Sequence, residues 1–125
     1  MSERHNISIR VDPAYLEEQS DPEEDRYVFS YTITMQNDGE IAARLLTRHW
    51  MITDAEGKVE EVRGPGVVGE HPYLRPGESF EYTSGAILET PVGSMAGSYQ
   101  MRADDGILFD APIPVFSLSA LVTFH

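Results

Sequence analysis

Gly64, Gly66 and Gly69 stand at the spacing G-x-G-x-x-G, inside the stretch VRGPGVVGEHPYLRPGESFEYTSG that runs from Val62 to Gly85. Glycines so placed let backbone N–H groups approach a phosphate closely. A dinucleotide fingerprint of this type needs a strand before it and a helix opening on its last glycine. Here Gly69 is followed by Glu70, His71 and Pro72, with Pro76 soon after. The prolines interrupt any helical ladder and nothing apolar recurs at a 3.6-residue period, so no helix is expected. Gly64 and Gly69 also stand at Walker A separation, but Glu70-His71 occupies the place of Lys-Ser/Thr, and a carboxylate there repels phosphate. Both nucleotide motifs are therefore excluded. Two readings remain. One is an anion nest outside any helix, a loop for pyrophosphate or nucleotide at Gly64, Gly66 and Gly69 with Arg63 or Arg75 as the helping cation. The other is a long loop between two sheets, its glycines serving positive φ.

Other reactive constellations are weaker. His49, Glu70 and His71 are the candidate metal ligands, yet Glu70 and His71 are adjacent and would face opposite sides of a strand. The acidic run from Glu17 to Asp25 lacks the central glycine of a calcium loop and reads as a solvated loop between strands. Ser94 is not in a G-x-S-x-G elbow, cysteine is absent, and no nucleophile with its base or pair of carboxylates stands out. No catalytic residue, cofactor or metal is expected, and the chain is read as a non-enzyme.

Composition narrows the partners. With 125 residues the chain has room for one domain and one core, spanning residues 1–125. Net charge is −12, which disfavours nucleic-acid binding and favours a well-solvated surface. Eight of the nine basic residues are arginine, Lys58 being the one lysine. Arg44, Arg48, Arg63 and Arg75 lie in or near the glycine-rich stretch, where surface ion pairing is their ordinary use. No apolar run approaches the length of a membrane helix, and MSERHNISIR lacks the apolar core of a signal peptide. A cytoplasmic protein without a membrane partner is expected.

The elements that must hold these residues are strands. Residues 6–11 alternate, ended by Asp12-Pro13. In residues 26–36, Tyr27, Phe29, Tyr31, Ile33 and Met35 form one buried face, and Asn37-Asp38-Gly39 turns the chain. A third strand covers about Ala43 to Thr53, with Trp50 as core anchor. A turn at Asp54–Gly57 and a short strand, Lys58 to Val62, complete a hairpin leading into the glycine-rich loop. Ser79 to Leu88 is a strand with a bulge or close backbone approach at Ser84-Gly85. Thr90 to Gly97 reads as a second loop of small residues, and Ser98 to Ala103 as a strand turned by Asp104-Asp105-Gly106. Ile107 to Phe124 is a strand confined by Pro112 and Pro114 to an edge or register change, with Phe116, Leu118, Leu121, Val122 and Phe124 available to the core. Seven or more short strands at even spacing predict an all-β fold, an immunoglobulin- or fibronectin type III-like β-sandwich of two antiparallel sheets.

The residues Arg48-His49-Trp50, Ile52-Thr53-Asp54, Gly64-Pro65-Gly66-Val67-Val68-Gly69-Glu70, Pro72, Leu74, Pro76-Gly77-Glu78, Phe80, Tyr82, Ser84-Gly85, Thr90-Pro91, Gly93, Met95, Gly97 and Tyr99 carry a resemblance over nearly the full length. In their order and spacing the chain resembles the bacterial ApaG family. The resemblance implies a fibronectin type III-like sandwich. It also implies a protein-interaction module, since related domains occur in eukaryotic F-box proteins and a polymerase delta-interacting protein. It carries a genetic link to cobalt resistance and magnesium efflux, and a pyrophosphate reading of Gly64, Gly66 and Gly69. The expected function is a non-enzymatic module that binds another protein; the alternative is a sensor of nucleotide or pyrophosphate at the glycine loop.

Overall fold

The computed structural model describes residues 4–121. Eight strands follow one another: β1 Ile7–Tyr15, β2 Tyr27–Asn37, β3 Ala43–Asp54, β4 Val59–Pro65, β5 Tyr73–Leu74, β6 Ser79–Leu88, β7 Val92–Ala103 and β8 Leu108–Ser119. Two single turns of 3₁₀ helix, Glu17–Gln19 and Pro22–Glu24, carry the acidic run between β1 and β2, with every acidic residue exposed. All strand pairs are antiparallel. One sheet has the order β1-β2-β6; the other has β4-β3-β7-β8, with β5 added to β3. The β-sandwich of the sequence reading is thus present.

The alternation of β2 decides the core. Phe29, Tyr31, Ile33 and Met35 are buried between the sheets, facing Leu45, Trp50, Tyr99 and Met101 of the other sheet. Trp50 is 3% exposed. Its ring meets Tyr31, Phe116 and Tyr99 edge-on at centroid distances of 5.2, 6.0 and 6.4 Å, the arrangement the aromatic quadrupole favours. Asn37 is the one buried polar residue among those described. Its Nδ2 donates to the carbonyls of Ile41 and Leu74, and its Oδ1 accepts from the Gly39 N–H. That network holds β5, and with it the end of the glycine-rich stretch, against the turn after β2.

Three expectations need correction. β1 does not stop at Asp12-Pro13; it continues to Tyr15, with Pro13 opposite Tyr31. A proline is tolerated there because β1 is an edge strand, and its missing N–H leaves no ladder bond unmade. Val92 to Gly97 is not a loop but the first half of β7. The small residues serve close strand approach: a Cβ on Gly93 would lie 2.5 Å from the Thr53 carbonyl oxygen, and one on Gly97 2.0 Å from that of His49. At Ser84-Gly85 it is the close backbone approach, not the bulge, that is found: β6 stays in register with β2, and a Cβ on Gly85 would lie 3.3 Å from the Phe29 carbonyl oxygen. The register shifts fall between Leu45 and Thr47 on β3 and between Met95 and Gly97 on β7. Finally, β4 extends through Arg63, Gly64 and Pro65, so Gly64 belongs to a strand. Among the late core candidates Phe116 and Leu118 pack inward and Leu121 is exposed, whereas Val122 and Phe124 lie outside the described residues.

Among the described residues the sandwich is closed more tightly on one side than on the other. β1 packs along β8. At the other side β6 and β4 end their sheets without comparable contact, leaving a cleft between the two edges.

Candidate functional site

The cleft begins with β3. Alternation around Trp50 turns Arg48 inward and His49 outward, because side chains two apart on a strand share a face. Opposite them in register on β4 stand Gly64 for Arg48, Arg63 for His49 and Val62 for Trp50. Gly64 is what makes room for the Arg48 guanidinium. A Cβ at Gly64 would lie 2.8, 2.9 and 3.0 Å from Nη2, Cζ and Nη1 of Arg48, so the guanidinium rests flat over the glycine backbone. Arg48 Nη1 donates to the carbonyls of Pro65 (2.8 Å) and Gly66 (2.9 Å), which ties the half-buried cation to the loop.

The loop itself is a tight turn. Val67 and Glu70 exchange two backbone hydrogen bonds of 2.8 Å each, with Val68 (φ 43°) and Gly69 (φ 81°) between them. Two successive positive φ values are the signature of a type I′ turn. Gly66 precedes it at φ 59°, and a Cβ there would come 2.4 Å from the Glu70 carbonyl oxygen. The Gly66 N–H donates to the Leu46 carbonyl. Val67 is buried in the sandwich core. Each glycine of the G-x-G-x-x-G motif therefore has a conformational or steric reason of its own. The N–H groups of Gly66, Val67 and Glu70 serve the loop's own hydrogen bonds, leaving Val68 and Gly69 as donors of the turn outside that set.

The candidate cations are not gathered there. Arg63 faces the outer side of its sheet, where its Nε is 3.2 Å from Glu61 Oε1. Arg75 follows β5, its Nη1 3.9 Å from Glu78 Oε2 and its guanidinium over the Tyr73 ring, which Arg44 covers as well. No hydrogen bond or ion pair joins Arg63 or Arg75 to residues 64–69 among those described. The third group considered, His49 with Glu70 and His71, is also dispersed. His49 Nε2 lies 3.3 Å from Glu61 Oε2, outside hydrogen-bond alignment, and His71 Nδ1 is 3.1 Å from the Leu45 carbonyl. Among the described residues no three His, Asp or Glu side chains are placed to hold one metal ion.

What the structure does bring together is a polar pocket behind the turn. A hollow of about 220 Å³ is lined by Tyr31, Arg48, Trp50, Val67, Val68, Gly69, Tyr82 and Ser84. It adjoins a wider hollow of about 550 Å³ between β6 and β4, which shares Tyr31, Arg48, Trp50 and Ser84 and adds, among others, Arg26, Glu60, Val62, Gly85 and Ile87. Burial pushes the Tyr31 hydroxyl pKa up, with Ser84 and the Arg48 charge acting the other way. Burial also pushes Tyr82 up to about 12, and Tyr99, whose hydroxyl hydrogen-bonds that of Tyr82, further still. At neutral pH the tyrosines are neutral hydrogen-bonding groups and Arg48 is the pocket's charge. Composition hid this pocket, since Arg48 looks like any of four arginines. Its position two residues before Trp50 was the available signal, because a residue sharing the face of a core tryptophan also points between the sheets.

The ApaG domain family model matches residues 17–103, which include β2 to β7 and the whole cleft. The chain belongs to the ApaG family. The ApaG protein of Thiobacillus denitrificans is 62% identical over 122 residues, covering 98% of this chain and 96% of that protein. That of Azoarcus sp. is 58% identical, covering 99% and 98%. Among solved structures, the ApaA protein of Bordetella pertussis superposes with a TM-score of 0.94 at 47% identity, covering 98% of this chain and all of that one. This ApaG-family chain thus shares its fold with an experimentally determined relative over the full length of the sandwich. Among its described residues no helix is long and apolar enough to cross a membrane.

Proposed function

We propose that this ApaG-family chain is a non-enzymatic binding module that docks another protein on the open side of its sandwich. One observation carries the reading: among the described residues β4 and β6 are both unpaired along their outer edges and flank a hollow of about 550 Å³, against one of about 190 Å³, lined by Pro13, Tyr15 and Ser117 among others, where β1 meets β8. Free strand edges supply the backbone donors and acceptors that an extended segment of a partner uses. Val68 and Ile87 line the cleft and are more than half exposed, giving apolar anchors at its two ends. Among the described residues the two hollows around Arg48 are lined by one carboxylate, Glu60, while the hollow beside them along the same edges adds Asp54 and Glu89, with Lys58 paired to Glu89. A pyrophosphate sensor at Gly64, Gly66 and Gly69 draws less support, because Arg63 and Arg75 sit beside Glu61 and Glu78 and the loop's N–H groups largely serve its own turn.

The test is site-specific photo-crosslinking in cells, with the probe placed at position 87 on β6 or at position 115 on β8. Val115 is 73% exposed and lies on the far edge. A discrete protein adduct at position 87, absent at position 115 and abolished by Val68→Asp, is expected. Adducts at position 115 alone would move the binding face to the other side and end this assignment.

A further inference from the structure

Arg48 is an unneutralised cation in an acidic protein. The chain has 21 Asp and Glu against 9 Lys and Arg, yet no carboxylate lies within ion-pair distance of Arg48 among the described residues. Its Nη1 is fixed by the Pro65 and Gly66 carbonyls, while Nε and Nη2 have no protein partner among the described residues. Those two groups form one edge of the guanidinium, the edge that binds a carboxylate through two parallel hydrogen bonds. Stacking on Gly64 and the two carbonyl bonds hold that edge in one orientation before any ligand arrives. Around it stand neutral hydroxyls, those of Tyr31, Tyr82 and Ser84.

We propose that the Arg48 pocket receives an aspartate or glutamate side chain of a partner protein, carried on an extended segment lying between β4 and β6. The assignment rests on the docking reading above and names the chemistry the partner must present. A carboxylate matches one guanidinium in charge and geometry. A phosphate dianion would find a single fixed cation, with Glu60 on the wall of the adjoining hollow. The free edges of β4 and β6 on either side of the pocket favour a segment of chain over a free small acid.

The experiment is an NMR titration of the ¹⁵N-labelled chain, reading the Trp50 indole N–H and the Gly85 amide. The probes are acetyl-Thr-Val-Glu-Val-Thr-amide, its Gln counterpart, sodium acetate and inorganic phosphate. The Glu peptide is expected to shift both resonances and the Gln peptide to bind at least about ten-fold more weakly, the usual cost of losing a charge-assisted pair. Arg48→Lys keeps the charge but removes the fork, so it should lower affinity for the Glu peptide and leave the Gln peptide unchanged. Should that variant fold poorly, the Glu and Gln comparison on the unaltered chain decides alone. Equal binding of the two peptides would overturn the carboxylate assignment while leaving the docking face intact. Failure of both peptides to bind would also overturn it, as would acetate or phosphate matching the Glu peptide at equal concentration. The docking reading fails separately, through the absence of adducts at position 87.

Discussion

Replacing Gly66 by alanine tests whether the motif is architecture. At φ 59° an L-residue loses about 1–2 kcal/mol relative to its preferred region. The new Cβ would also lie 2.4 Å from the Glu70 carbonyl oxygen, which accepts the Val67 N–H. Backbone there must move, and the two Val67–Glu70 hydrogen bonds that close the turn weaken, each contributing about 1 kcal/mol. The expected loss for Gly66→Ala is therefore about 3–4 kcal/mol. Gly69→Ala is the internal control. Its φ is 81°, but nothing lies within 4 Å of an added Cβ, so only the conformational part, about 1–2 kcal/mol, applies. Urea unfolding followed by Trp50 fluorescence gives both values, with the denaturant slope checking that the two-state comparison holds. Equal losses for the two variants, or a larger one for Gly69→Ala, would refute the steric argument and reopen a ligand-based reason for Gly66.

Val68 is a β-branched residue at φ 43°, so Val68→Gly should raise stability. Relief of strain exceeds the greater flexibility of glycine by up to about 1 kcal/mol, and a measured loss would contradict the turn geometry. Trp50→Ala should cost about 3–5 kcal/mol by urea unfolding monitored by circular dichroism, and a cost below about 1 kcal/mol would place the ring outside the core. Tyr82 carries a folded-state pKa of about 12, above the value of about 10 in an unfolded chain. Its contribution is fully present below pH 10 and is lost as pH rises through 12, on the order of 2–3 kcal/mol in all. The urea midpoint should accordingly fall between pH 10 and 12, and Tyr82→Phe should lessen that fall without abolishing it, because burial also raises Tyr99 and Tyr31.

Strand identity was legible wherever one face is buried and the other solvated. β2 is the clearest case, because the alternation Tyr27, Phe29, Tyr31, Ile33, Met35 admits only one register against the core. β7 was harder for a physical reason. Gly93 and Gly97 look like loop residues, yet they are small because the β3 backbone runs too close for a Cβ. The break between Leu45 and Thr47 left no trace in composition, since it arises where β3 adjusts its pairing with β7. At the site, the constrained character of Gly64, Gly66 and Gly69 was readable, but the cause of each was not. Gly64 is set by a side chain sixteen positions upstream, Arg48, and such a cause appears only once register is known.

The order of strands within the sheets bears on how the chain acquires its fold. β2 finds one of its two neighbours, β6, only after about fifty intervening residues have been added, since Ile33 pairs with Tyr82. β3 likewise waits for β7, with Trp50 opposite Gly97. Until Ala103 has left the ribosome, the aromatic face of β2 and the inward face of β3 have no stable cover. A nascent or truncated chain ending before β7 would expose them as sticky edges, the condition under which chaperones are recruited and aggregates begin. Such distant pairing also slows closure of the native topology once the chain is complete. Refolding from urea should therefore take milliseconds to seconds rather than microseconds, and chains cut after Leu88 should remain unfolded despite holding the entire β1-β2-β6 sheet.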